Sequence, residues 1–118
     1  MNHTLTYEVG YDNEIAAGDR VFYAKINLDV DFDNDADAQR VEVTECEIMP
    51  LDEDRVLPWT TEGKRLEKII IEGDPELTEV IDKTLWEAIS RYAEDNYGDI
   101  HREVDTDYEE QMSCWNAE

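Results

Sequence analysis

Cations are what this chain has least of. Ten lysines and arginines stand against 32 aspartates and glutamates, and the net charge of −22 repels DNA, RNA and anionic membrane surfaces. Direct binding to nucleic acid or to a membrane is therefore not expected. Histidine and cysteine are scarce too, at two each. His3 and His101 have no Ser, Cys or glycine-rich motif beside them, and no phosphate loop, GxSxG elbow or HExxH occurs. Two lone histidines, with Cys46 and Cys114 far apart in the chain, make no zinc ligand set. A non-enzyme without cofactor or metal is expected. No apolar run approaches the roughly 20 residues of a membrane span, and MNHTLTYEVG has no basic region ahead of an apolar one. A soluble cytoplasmic protein is expected, with both cysteines as free thiols.

Enough apolar material remains to fold, since 41% of residues are hydrophobic, among them three Trp and six Tyr. A length of 118 residues suits one domain, 1–118, with one core. The acidic excess is concentrated: residues 27–54 carry eleven acids against one base, and residues 99–118 seven against one.

The first of these segments lies within RVFYAKINLDVDFDNDADAQRVEVTECE, Arg20 to Glu47. Phe22, Ala24, Ile26, Leu28, Val30 and Phe32 alternate with Tyr23, Lys25, Asn27, Asp29 and Asp31, the pattern of a strand with one wet face. Asp29, Asp31, Asp33, Asp35 and Asp37 continue at every second position. Glu42, Glu45 and Glu47 follow on the return, with only Arg40 nearby to neutralise them. If the period of two holds, successive carboxylates stand about 6.6 Å apart in a line. With the acidic triplet Asp52, Glu53 and Asp54, they are the expected partner-binding residues.

Residues 3–9 alternate as a first strand, and GYDNEIAAGD reads as a loop with a short turn at Glu14 to Ala17. A bend is expected at Asn34 to Gln39. In the third strand, Val41 to Met49, Val41 and Val43 fall out of phase with Cys46 and Ile48, which a bulge at Thr44 or Glu45 would reconcile. Pro50 to Gly63 reads as loop anchored by Val56, Leu57 and Trp59, and Leu66 to Glu72 as a fourth strand. Asp74 as N-cap, Pro75 at the first turn and Gly98 past the end bound a helix over 74–98. Its stripe is Leu77, Val80, Ile81, Leu85, Ala88, Ile89 and Tyr92, and the opposite face pairs Glu79 with Lys83 and Glu87 with Arg91. Trp86 lies off that stripe, so a short second helix carrying Val104, Tyr108, Met112 and Trp115 is a candidate to cover it. The expected class is α+β: residues 1–73 mainly β, an antiparallel sheet of three to four strands with one main helix on its apolar face, and an acidic segment over 99–118.

Two functional readings compete with plain solubility or salt adaptation. From Asp31, the residues Asp31, Asp33, Asp35, Asp37 and Glu42 occupy positions 1, 3, 5, 7 and 12 of a calcium-binding EF-hand loop. Ala36 stands where that loop has glycine, Ala38 where a larger apolar residue is usual, and a strand precedes where a helix should, so solvated carboxylates are the preferred reading. The other reading is imitation. In size, composition and layout the chain resembles the small acidic DNA-mimic inhibitors that bacteriophages and mobile elements deploy against restriction, CRISPR or repair enzymes. The resemblance implies a basic nucleic-acid-binding partner: a nuclease, a restriction or CRISPR effector, or a nucleoid protein. The alternatives are an acidic adaptor or structural protein, or a calcium-binding module.

Overall fold

The alternation beginning at Phe22 builds the central strand of the molecule. In a computed structural model describing residues 3–63 and 67–116, with side chains for all of these but 63, 67 and 112–116, β1 (Leu5–Ala17), β2 (Arg20–Phe32) and β3 (Ala38–Pro50) form an antiparallel sheet of order β1-β2-β3. The six alternating apolar residues of β2, Phe22 to Phe32, are buried on its inner face, while Val21 beside the turn is exposed. β1 runs twice as far as its local composition suggests. Gly10, Asp12 and Asn13 favour turns in isolation, but Ile15 and Ala17 bury on the same side as Val9, and pairing continues unbroken from Leu5↔Phe32 to Ala17↔Arg20. GYDNEIAA is thus strand, and the turn is the pair Gly18–Asp19, with Gly18 at φ +64° as its first position requires. The expected bulge in β3 is present: Leu28 pairs with Val43 and Asn27 with Glu45, leaving Thr44 unmatched.

A second, two-stranded sheet follows, of β4 (Trp59–Gly63) and β5 (Glu67–Ile71). The end of the expected loop is therefore strand, and the expected fourth strand pairs with β4 outside the main sheet. Trp59↔Ile71 and Thr60↔Ile70 match β-favouring residues across the hairpin. Leu66 and the side chains of Met112, Cys114 and Trp115 lie outside the described residues.

Helix α1 (Pro75–Asp95) starts where expected, with the Asp74 carboxylate accepting from the Leu77 N–H at 3.1 Å. The same carboxylate receives both Arg20 guanidinium nitrogens, at 2.6 and 3.1 Å, and these hydrogen bonds hold it below the usual carboxylate range. Leu77, Ile81, Leu85 and Ile89 bury as the stripe predicts. Trp86 is half-buried against the same core. α1 lies against β1 and β5, and β5 against β3, so helix and hairpin close over the apolar side of the sheet.

α1 ends at Asp95, three residues short of the expected boundary at 98, and Asn96 caps it, its N–H and Nδ2 both donating to the Tyr92 carbonyl. The Asn96 carbonyl then accepts from Ile100 and opens α2 (Tyr97–Asn116), so Gly98 sits inside the first turn of a second helix. α2 is 20 residues long, nearly the length of α1, and is not the short helix expected. It buries Ile100 and Val104 and bonds to one end of the sheet: Tyr7 Oη donates to Glu103, Asn34 Nδ2 to Asp105, and His3 pairs with Asp107. Burial, reinforced by the Glu103 bond, raises the Tyr7 phenol above its ordinary pKa. No helix among the described residues is long and apolar enough to cross a membrane.

Cys46 is free, faces the core opposite Ile26, and has its thiol pushed up to about 12 by burial, with Glu47 adding to the shift. A Cys114→Ser protein should therefore leave a disulfide-exchange reagent unreacted at about pH 8 when native, and react once urea exposes Cys46. Rapid reaction of the native protein would place Cys46 at the surface.

Candidate functional site

The outer face of the sheet is built by the residues that alternate with the core. Strand register sets them in rows across β1, β2 and β3: Thr6–Asp31–Arg40, Glu8–Asp29–Glu42, Gly10–Asn27–Glu45 and Asp12–Lys25–Glu47. One row is all carboxylate. Directly opposed side chains on neighbouring strands stand about 5 Å apart, where like charges are destabilising, so the Glu8–Asp29–Glu42 row is held against electrostatic cost by the core beneath it. Its flanks are partly compensated. The Lys25 Nζ reaches Glu45 at 3.8 Å, Arg40 reaches Glu42 at 3.8 Å, Asn27 Nδ2 donates to Glu45 at 2.8 Å, and the Thr6 hydroxyl donates to Asp31. Lys25 thus joins Arg40 as a second cation in the ladder. Asp29, Asp31, Arg40, Glu42 and Thr6 line a shallow depression of about 160 Å³. Among the described residues, no helix or hairpin places a hydrogen bond or ion pair on this face.

Comparison with protein-family models, curated proteins and solved structures finds no match. The chemistry of the face itself is what bears on its use.

Of the expected site residues, Asp29, Asp31, Glu42, Glu45 and Glu47 are brought together on this face. The line does not continue through Asp33, Asp35 and Asp37. Phe32 is the last residue of β2, and the alternation after it belongs to a loop. Asp33 turns inward and is buried, its Oδ1 accepting from the Asp35 and Asp37 N–H groups at 2.9 and 3.0 Å and its Oδ2 from Gln39 Nε2 at 2.9 Å. It is a scaffold residue. Asp35 and Asp37 are exposed at the loop, and Ala36 takes φ +59° there. The loop brings carboxylate oxygens of Asp33, Asp35 and Asp37 within 4.8 Å of one another, but Asp31 and Glu42 project from the outer sheet face, so the five EF-hand positions do not converge. Asp52, Glu53 and Asp54 lie beyond β3 at the opposite end. Since Phe32 pairs with Ala38 and Phe22 with Pro50, the two loops are about 33 Å apart along the strands. Glu53 is paired there with Arg55 at 2.9 Å, beside a cavity of about 520 Å³ lined by Arg20, Phe22, Leu57 and Asp74.

Glu8, Asp12 and Glu14 of β1 were not among the expected residues. The signal was their spacing of two from Thr6 onward, interrupted by Gly10. On α1, the pairs Glu79–Lys83 and Glu87–Arg91 do not close within 4 Å, so that face is less neutralised than its sequence suggests.

Proposed function

We propose that the chain is a non-catalytic inhibitor that imitates nucleic acid, its outer sheet face entering the basic groove of a nucleic-acid-binding protein. The observation that carries this is the unbroken carboxylate row Glu8–Asp29–Glu42 on a sheet face where no other described element places a hydrogen bond or ion pair. A groove evolved for duplex DNA expects one charge per about 1.7 Å of axis, and lines of carboxylate on a rigid sheet supply charge to it at little ordering cost. The net charge of −22 favours fast, steered encounter with such a partner. The partner class is a nuclease, a restriction or CRISPR effector, or a nucleoid protein.

The test uses the protein as bait in a host lysate, then measures affinity for the basic protein it captures. The triple change Glu8→Gln, Asp29→Asn and Glu42→Gln keeps shape and removes three charges, and should weaken binding about 100-fold or more if the row meets cations in a desolvated groove. The control Glu79→Gln, Asp82→Asn and Glu87→Gln on α1 should change affinity little. Duplex DNA should compete, and added salt should weaken binding steeply. Equal losses from the two triples, or simultaneous binding of DNA and this protein, would refute the groove reading.

A further inference from the structure

The free edge of β1 is the second feature of the sheet that can hold a partner. A two-residue turn makes its flanking rung, Ala17–Arg20, a hydrogen-bonded pair, and such pairs alternate along an antiparallel ladder. The odd-numbered residues of β1 therefore bond to β2. The even-numbered ones, Thr6, Glu8, Gly10, Asp12 and Glu14, aim N–H and C=O away from the sheet. Two side-chain bonds agree with this: the Glu14 N–H donates to Asn13 Oδ1 at 2.8 Å, and the Glu14 carbonyl accepts from the Tyr11 hydroxyl at 2.9 Å. They close the edge at Glu14. From Thr6 to Asp12 no backbone group among the described residues bonds to it. Gly10 is exposed, and with no side chain its exposed surface is the backbone itself. The far edge of β3 is different, for the Leu57 N–H occupies the Ile48 carbonyl at 2.8 Å and β5 lies beside it.

Charge selects the occupant. A second copy paired antiparallel about Gly10 would set Glu8 against Asp12 twice between chains of net charge −22, which disfavours it. A strand with lysine or arginine at every second residue would do the opposite. Residues opposite Glu8 and Asp12 share their face, so its cations would extend the Glu8–Asp29–Glu42 row and neutralise it, while the intervening residues lie beside the half-buried rings of Tyr7 and Tyr11.

We propose that an extended segment, basic at alternate positions, adds to the sheet as a fourth strand antiparallel to Thr6–Asp12. It is a site for main-chain recognition at the sheet edge that shares Glu8 with the outer face, and the N-methylated peptide tests it whether or not that face enters a nucleic-acid groove.

The experiment titrates the full chain, labelled with ¹⁵N, with a capped peptide of about seven residues alternating lysine with threonine or valine. Binding should slow amide exchange at Glu8, Gly10 and Asp12 about tenfold or more at saturation. In this register the lysine amides bond to β1, so N-methylating them removes the hydrogen bonds but keeps every charge, and should abolish binding. Changing Glu8→Gln and Asp12→Asn together should weaken it about tenfold. Gly10→Pro, which removes an edge donor and leaves the β1–β2 ladder intact, should do the same. The N-methylated peptide keeps the test decisive if that variant fails to fold. Equal binding of the methylated peptide, protection confined to β2 and β3, or no binding at millimolar peptide would overturn the proposal.

Discussion

Phe32→Ala should lower the free energy of unfolding by about 3–5 kcal/mol, a large fraction of the roughly 5–15 kcal/mol that holds an ordinary domain folded. Phe32 is fully buried at the end of β2. Its ring stacks on Tyr92 of α1 at 6.0 Å between centroids and tilts against Tyr7 of β1 at 5.9 Å. Tyr7 in turn is bonded to Glu103 of α2. One side chain thus packs β2 against β1 and α1, and through Tyr7 it reaches α2. Removing it leaves a cavity where these elements meet, which none of them can fill without leaving the others. Lys83→Ala, on the exposed side of α1 and without an ion partner among the described residues, should stay within about 0.5 kcal/mol. Urea denaturation of both variants decides the matter: similar losses would mean the core is not centred here.

The second large effect is expected at Asp33. Its carboxylate accepts three hydrogen bonds while buried, and bonds to a charged acceptor contribute about 1.5–3 kcal/mol each, though not additively within one loop. Asp33→Ala should cost about 3 kcal/mol, because two loop amides and the Gln39 side chain lose their acceptor together. Asp33→Asn should cost less, since one oxygen still serves both backbone amides and Gln39 can turn its own oxygen toward the new NH₂. Asp31→Asn, two positions earlier on the outer face, should change stability by no more than about 0.5 kcal/mol, because the asparagine oxygen can still accept from the Thr6 hydroxyl. Thermal unfolding of the three variants separates the roles. If Asp31→Asn and Asp33→Ala destabilise equally, Asp33 is not the scaffold of this hairpin.

These two aspartates show where sequence patterning is informative and where it stops. Up to Phe32, alternation and structure agree, because the buried members of β2 are all apolar and each places its neighbour on the wet side. Beyond Phe32 the period persists in the letters alone. Asn34 and Asp35 form a turn, Ala36 enters the left-handed region, and a carboxylate one step past the strand caps the loop instead of facing water. β1 errs in the other direction: Gly10, Asp12 and Asn13 are turn formers, and only the long partner strand overrides them. α1 was legible from Asp74, Pro75 and its apolar stripe. The extent of α2 was not, because its apolar residues are few and Gly98 resembles a terminator. The acidic face was half visible, since register is a tertiary property: that Glu8 stands beside Asp29 and Glu42 follows from pairing across strands and not from any local run.

The connections of the sheet also set the order in which it can assemble. β1 and β2 join through two residues, so the first rung, Ala17–Arg20, spans three positions of chain while the last, Leu5–Phe32, spans 27. β2 and β3 join at the other end, through the short loop after Phe32. The central strand therefore has a nucleus at each extremity, and each new rung closes a loop only two residues wider than the formed ladder beneath it, so the entropic cost is met in small steps. Connectivity of this kind favours pairing that zips along β2 in opposite directions. On that order Asp29 meets Glu42 early, a few rungs from its nucleus, whereas Glu8 arrives at the tenth of the thirteen rungs of the other hairpin, so the most repulsive row of the molecule is completed late.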